Sequence, residues 1–354
     1  MHSNTAPNHT PAARNLNTDR CRPLSLLLLA LLATMIPSTH FGQACCSGGV
    51  PISSNLGLIS GTAGSWQFLT SYDFNELKDL FAGTSALNDN TRTRRTHSLL
   101  IEASYGVTDR FSITGLVSGV RQERVIRPLA GGENSENTQG LGDAVVLLKY
   151  KVTAGDADAA NSVWLGAGPK MPLGRTNFNN SSDLILPADM QPGSGAWDVL
   201  LWGNYTGKRV IWPNLSATAL GTYALKGTNP SYNEVQEYKF GNELLGTAGL
   251  AYRVAVKKLL LDPNVSLQYR RTEPDEIDGG LFPNTGGQWV NVIPGLTWNI
   301  NSNVQLRASA RIPVYRNLTG TQVTTSYRTN VGVWWRIPSK NSSTHALDSI
   351  NPEG

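Results

Sequence analysis

The fold is decided by residues 97–118, HSLLIEASYGVTDRFSITGLVS, in which two alternating stretches flank a short polar turn. Successive side chains of a β-strand point to opposite faces, so every second residue lies on the same side. The first stretch therefore has an apolar face and a mostly polar face, which carry, respectively, Leu99, Ile101, Ala103, Tyr105 and Ser98, Leu100, Glu102, Ser104. The pattern predicts an antiparallel hairpin with one apolar surface.

The same pattern recurs from Trp66 to Ile337, and each repeat is close to the length of a tilted strand that spans a bilayer. It predicts an all-β protein, a transmembrane antiparallel β-barrel of about twelve strands of the outer-membrane type, over residues 64–338. The strands are predicted to begin near Ser65, His97, Phe111, Gly142, Val163, Ala196, Leu215, Phe240, Asn264, Trp289, Val304 and Thr325.

Short turns such as residues 107–110 alternate with long connections, as in outer-membrane barrels, where the short side faces the periplasm. The predicted long connections are residues 75–95, 123–139, 176–193, 225–238 and 272–286. Aromatic residues near strand ends predict girdles at both lipid interfaces. They are Trp66, Tyr72, Phe74, Tyr105, Phe111, Tyr150, Trp197, Tyr223, Phe240, Tyr252, Tyr269, Trp298, Tyr327 and Trp335. A soluble periplasmic β protein, with these apolar faces packed between two sheets, stays open as an alternative.

The two ends of the chain have a different composition from the barrel. Residues 1–44 are predicted to be a secretory signal, because an apolar run of about thirteen residues is too short to span a bilayer and small residues precede a cleavage site after Ala44. An uncleaved anchor is the alternative. Residues 45–63 are an N-terminal segment that is a candidate plug, and residues 339–354 are predicted to be a disordered tail. Adjacent Cys45 and Cys46 leave open a lipid anchor, a thiolate metal site or no specific role.

The composition argues against several classes of function. The net charge of +4 is mild and no polybasic run exists, so no nucleic-acid partner is expected. After the leader only His97 and His345 remain, and Ser98 lies on the strand face opposite His97, which excludes a credible Ser-His hydrolase. No phosphate-binding glycine loop is present. We expect no enzymatic activity, no metal and no cofactor.

Charged side chains fall on the face opposite the apolar one. A cation facing lipid costs roughly 2 to 4 kcal/mol at the midplane, so this face should line the lumen. The candidate residues of a solute pathway are Glu102, Asp143, Lys149, Lys170, Asp198, Glu243, Arg270, Arg307, Arg311 and Arg328. The strand order predicts that Asp143 and Asp198 flank Lys170 near the outer mouth, that Glu243 approaches Arg270, and that the last two strands form a basic wall. Such charges either fill and stabilise the lumen or orient a polar or anionic solute at a constriction.

Three segments resemble a known family. QGLGD at 139–143, running into AVVLLKYKV at 144–152, resembles its hallmark strand. GSGAWD at 193–198 resembles a later glycine-rich strand start, and EASYGVTDR at 102–110 an early hairpin. On these motifs the chain is similar to the MetA-pathway of phenol degradation family. The resemblance implies an outer-membrane barrel that is often labelled a transporter and is associated with the degradation of aromatic compounds.

These observations predict a monomer in the bacterial outer membrane, with membrane lipid and a small-molecule solute as its partners. The expected function is that of a channel or facilitator for passive uptake of a small solute through a narrow charged lumen. The alternative is a barrel that does not transport and that binds a ligand or partner at its surface.

Overall fold

The computed structural model describes residues 56–59, 61–128, 130–153 and 161–339. The predicted signal peptide, Cys45 and Cys46, and the predicted tail beyond Ser339 lie outside these residues. No helix in the described ranges has the length and hydropathy needed to cross a membrane.

The described chain is built almost entirely of strands, with a short 3-10 helix at Ala188–Met190. The strands are β1 (Trp66–Gly83), β2 (Ser85–Leu87), β3 (Arg92–Gly106), β4 (Phe111–Ile126), β5 (Asn134–Leu141), β6 (Ala144–Lys151), β7 (Asn161–Met171), β8 (Asp198–Lys208), β9 (Leu215–Leu225), β10 (Thr228–Tyr232), β11 (Gln236–Lys239), β12 (Glu243–Tyr252), β13 (Val254–Val256), β14 (Leu259–Thr272), β15 (Glu276–Ile277), β16 (Gly280–Leu281), β17 (Gly287–Asn301) and β18 (Val304–Ile337).

The long strands form a closed antiparallel ring. Its order is β1-β3-β4-β6-β7-β8-β9-β12-β14-β17-β18, and pairing of β18 with β1 completes the circle. Strand β18 doubles back: residues 304–318 pair with β17 and residues 318–337 pair with β1. Gly320, with φ of +71°, lies where the chain reverses. With the two halves of β18 counted separately, the described wall has twelve spans, which confirms the predicted barrel.

The alternation of the strands separates an outer apolar surface from the barrel interior. On β3, Leu99 and Ile101 are 49% and 43% exposed, whereas Leu100 and Glu102 are each 1% exposed. A continuous exposed apolar belt on a ring without sheet edges is what a bilayer requires, and it contradicts the alternative of two stacked sheets. Short turns lie at one end of the barrel and longer connections at the other.

Two details of the prediction are wrong. The predicted long connections at 75–95 and 123–139 are largely strand, because β1 runs to Gly83, β3 starts at Arg92, and β4 with β5 covers most of the second range. Above the apolar belt the outward residues are polar because they meet water instead of lipid, so the apolar alternation ends while the hydrogen-bonded strands continue.

Phe240 also does not belong to an aromatic girdle. It is 8% exposed and packs with Tyr238 and Ala188 at the end of the barrel that carries the long connections. The reason is a separate four-stranded sheet, β10-β11-β15-β16, which forms from the predicted connections and supplies these residues with a small core of their own.

Candidate functional site

The barrel interior contains a buried ion cluster where β6, β7 and β8 approach the long connections. Lys170 Nζ lies 2.9 Å from Asp143 Oδ2 and 3.0 Å from Asp198 Oδ2, and all three side chains are at most 5% exposed. Ser194 Oγ donates to Asp143 at 2.7 Å, and Lys226 Nζ lies 3.2 Å from Asp198. The structure therefore brings together the three residues that strand order had placed side by side.

The same carboxylates also bind main-chain amides of the long connections. Asp143 accepts hydrogen bonds from the N–H groups of Gly174 and Ser194, at 3.1 and 3.0 Å, and Asp198 accepts one from Gly227 at 3.1 Å. A Cβ on Gly174 would meet the backbone of Gly193, so both ends of the connection between β7 and β8 pass close together. Asp143 of QGLGD thus fastens this connection to the barrel, and Asp198 of GSGAWD fastens the connection that follows β9.

Residues 172–197, here called the inner loop, fold inward across the barrel rather than outward. Arg94 Nη1 donates to Asp189 Oδ2 at 2.5 Å, and Arg94 also donates to the Asp189 carbonyl and to Gln122 Oε1. Thr138 Oγ1 donates to the carbonyl of Met190 at 2.6 Å. Because the Arg94 and Asp189 side chains are 3% and 9% exposed, this part of the loop closes the interior on the side of β3, β4 and β5.

Deeper in the barrel, the short stretch at residues 56–59 lies against the interior wall. Leu56 and Leu58 are 0% and 2% exposed. Lys149 Nζ donates to their carbonyls at 3.2 and 2.6 Å, and the Leu58 N–H donates to Glu102 Oε1 at 3.0 Å. Glu102 and Lys149 therefore hold backbone of the N-terminal segment, and Lys149 also lies 4.2 Å above the Trp202 ring.

An apolar cluster surrounds this stretch. Leu56 packs with inward-facing side chains of β3, β4 and β6 to β9, namely Leu100, Leu116, Val120, Val145, Leu147, Trp164, Leu200, Trp202 and Ala224. On this half of the barrel the interior is therefore filled by protein.

The opposite half of the interior is lined by arginines that are partly exposed. Arg270 forms an ion pair with Glu243 at 2.7 Å, as predicted from strand order. Arg328 pairs with Asp73, also at 2.7 Å. Among the described residues, Arg307 donates only to the amide oxygen of Gln305, at 2.8 and 3.3 Å, and it lies over the Trp334 ring.

Among the cations of the predicted pathway, Arg311 is distinguished by its Nε group. Its Nε is shielded from solvent and has no hydrogen-bond acceptor among the described residues. Its electrostatic neighbours are Arg328, Arg270, Asp73 and Glu243, and both carboxylates are already engaged with the other two arginines. The basic wall predicted from the sequence thus contains two arginines that no described carboxylate pairs, Arg307 and Arg311, and of these only Arg307 has a described hydrogen-bond acceptor, on Gln305.

Outside the membrane, the small sheet holds a buried carboxyl of its own. Burial raises the pKa of Asp275 from 3.8 to about 6, against the opposing effect of hydrogen bonds from the Tyr238 hydroxyl and the Gly241 N–H. Burial and the neighbouring Asp275 also raise the pKa of Tyr238 well above its ordinary range. Burial raises the pKa of Tyr232 to about 12.

Sequence reasoning missed Arg94, Asp189, Asp73 and the leucines of residues 56–59. Asp73 had a usable signal, because it lies on the inward face of β1, which is the neighbour of β18 once the barrel closes. No sequence signal indicates the contact between Arg94 and Asp189, since it depends on how the inner loop folds. No group of three His, Cys, Asp or Glu residues in the described ranges is placed to hold a metal ion.

A family model described as "Putative MetA-pathway of phenol degradation" matches residues 84–331. The chain belongs to this family. The match confirms the resemblance carried by the three motifs, and both motif aspartates lie within it. No protein of curated function matches the sequence.

One solved structure agrees with the fold. The COG4313 outer membrane channel from Pseudomonas putida F1 has a TM-score of 0.59 at 13% identity, and the match covers 80% of this chain and 98% of that one. The β domain of the Bordetella autotransporter BrkA has a TM-score of 0.43 at 10% identity, and the match covers 76% of this chain and 99% of that one. The CymD monoaromatic hydrocarbon channel has a TM-score of 0.39 at 9% identity, and the match covers 82% of this chain and 98% of that one.

This family member is a bacterial outer-membrane β-barrel. Its family and the channel from Pseudomonas putida agree with the prediction that it is not an enzyme.

Proposed function

We propose that this family member is a passive channel for a small solute, and that the solute passes along the charged half of the barrel interior. The single observation that supports this route is the contrast inside the barrel: one half is filled by an apolar cluster, while the other is lined by arginines that are partly exposed. A family of barrels associated by name with phenol degradation, and a neighbour described as an outer-membrane channel, favour small-molecule passage over other roles.

The ten predicted pathway residues divide into two roles under this proposal. Lys170 with its two aspartates holds the inner loop in place, because these buried side chains are saturated by one another and by backbone amides. Glu102 and Lys149 hold the N-terminal segment. The arginines of β14 and β18 face the solute. The proposal keeps the charged interior that the sequence predicts. It assigns solute selection to these arginines instead of Lys170.

The N-terminal segment would act as the plug of this channel. Two observations support this: the leucines at its end are buried, and its backbone makes three hydrogen bonds to Glu102 and Lys149. Releasing the segment is costly, because these hydrogen bonds to charged side chains lie in a site shielded from water. Solute passage would then require the segment to shift, or would use the space beside it.

Liposome swelling tests the proposal. Vesicles that contain the purified chain should swell faster than protein-free vesicles in small neutral, anionic and aromatic solutes, and a chain lacking residues 45–59 should swell them faster still. If neither protein admits any of these solutes, passive transport is excluded and the surface-binding alternative replaces it.

The surface-binding alternative has one observation in its favour. The inner loop and the N-terminal segment both occupy the interior, as they would in a sealed barrel. It predicts that the truncated chain is as impermeable as the complete one, so the same swelling measurement decides between the two functions.

A further inference from the structure

Arg311 is surrounded by charges that do not balance. Three arginines, Arg270, Arg311 and Arg328, share the region with two carboxylates, Glu243 and Asp73. Each carboxylate forms a short ion pair with one of the flanking arginines, at 2.7 Å in both cases. One positive charge is therefore left over, and it is carried by the central side chain.

An unpaired arginine in this position is unfavourable. Like charges at neighbouring positions repel, and a shielded guanidinium N–H without an acceptor loses the hydrogen bond it would have made to water. The Nε of Arg311 is such a group among the described residues. A planar guanidinium matches a carboxylate in shape and offers it two parallel hydrogen bonds.

Aromatic rings lie along the same wall. Arg270 lies 4.8 Å over the Trp289 ring, and Arg307, four residues before Arg311 on β18, lies 5.7 Å over the Trp334 ring. These indoles face inward and are only 4% and 8% exposed. Arg311 therefore lies on a wall that also carries inward-facing indole rings, and this combination suits an anion that carries an apolar body.

We propose that Arg311 forms the centre of a binding site for a small monoanionic carboxylate with an apolar body, such as an aromatic acid. This inference rests on the proposed route and names the class of solute that the route would select. One bound carboxylate would neutralise the excess charge and supply the missing acceptor for Arg311, while the ion pairs of Arg270 and Arg328 would stay intact.

Equilibrium dialysis of radiolabelled benzoate against the folded chain in detergent tests the site without requiring conduction. Benzamide serves as the neutral analogue, and a protein-free micelle sample corrects for partitioning. The complete chain should bind benzoate above the micelle background, and Arg311→Gln should weaken that binding at least tenfold. Arg311→Lys should keep part of it, and benzamide binding should be the same in all variants.

Arg336→Gln is the matched control, because Arg336 lies on the same strand but is exposed at its far end. It should leave benzoate binding unchanged. Arg311→Gln removes an unpaired charge, so the barrel should remain folded, which its heat-modifiable migration on a gel verifies.

Two results would overturn the proposal: equal benzoate binding by the complete chain and by Arg311→Gln, or no binding above micelles by either. Failure of the proposed function would look different, since a barrel that lets no solute across could still bind benzoate that enters from one end and reaches Arg311.

Discussion

The two halves of the barrel interior are built from the same alternating strands but are filled differently. From β3 to β9, inward side chains form an apolar cluster around Leu56, and every predicted charge is bound to another charge or to backbone. From β12 to β18 and onto β1, the inward side chains are mainly arginines, acids and amides, and Arg311 is left without a counter-ion among the described residues. A periodic sequence therefore determines the wall, whereas the identity of the inward residues determines which part can admit a solute.

The largest expected effect is on the filled half. A chain that lacks residues 45–59 should conduct several-fold more current than the complete chain in planar bilayers, because Leu56 and Leu58 no longer occupy the interior. Deleting residues 340–354, a stretch of equal length at the other terminus, should leave the current unchanged. Equal currents for the two deletions would show that the N-terminal stretch does not obstruct the barrel.

The next effect concerns the ion cluster of the filled half. Lys170→Met leaves two buried carboxylates without their shared cation and should lower the free energy of unfolding by about 3 to 5 kcal/mol, measured by urea denaturation in vesicles. Lys78→Met is the control, because its pair with Glu76 is 55% exposed on the lysine side and should cost under about 1 kcal/mol. If both variants lose the same stability, Lys170 does not fasten the inner loop and its role in the solute path would have to be reconsidered.

A smaller and local effect is expected at the inner loop. Arg94→Gln removes the buried partner of Asp189 and should make opening of the loop easier by about 3 kcal/mol, without opening the barrel. Trypsin should then cleave faster after Arg175, which lies within the loop. Arg121→Gln, whose pair with Glu123 is largely exposed, should leave the cleavage rate as it is. Unchanged cleavage in Arg94→Gln would contradict the anchoring of the loop by Asp189.

The smallest effect lies outside both halves, in the sheet β10-β11-β15-β16. The folded pKa of Asp275, about 6, is above its unfolded value of 3.8, so its contribution to stability is greatest below the unfolded pKa and is lost as the pH rises through 6. Between pH 5 and pH 8 this sheet should lose about 1 kcal/mol of protection, read from amide exchange of β11 corrected for intrinsic rates. Asp275→Asn should abolish the pH dependence, and an equal dependence in this variant would assign it to another group.

Much of the barrel wall was predictable, because a strand between lipid and the barrel interior must alternate apolar outward residues with inward ones of another kind. The twelve spans follow from it, and so does the grouping of Asp143, Lys170 and Asp198, since neighbouring strands must bring equivalent positions together. The partner of Arg328 could have been inferred from barrel closure, which pairs β1 with β18. These are consequences of register, and register can be derived from the sequence.

The remaining features depend on chain segments that do not alternate. Nothing local in residues 172–197 indicates that Asp189 turns inward to meet Arg94, 95 positions earlier in the chain. The upper parts of β1, β3 and β4 were assigned to connections because both their faces are polar above the membrane. The small sheet that buries Phe240 is made of strands of two to five residues, too short to carry a period.

The reversal potential in a KCl gradient tests the central contrast most directly. It should be recorded for the chain that lacks residues 45–59, with and without Arg311→Gln. If solutes pass along the arginine half, the truncated barrel prefers chloride over potassium, and Arg311→Gln moves the reversal potential towards zero. A potassium preference, or a potential that Arg311→Gln leaves unchanged, would contradict the account.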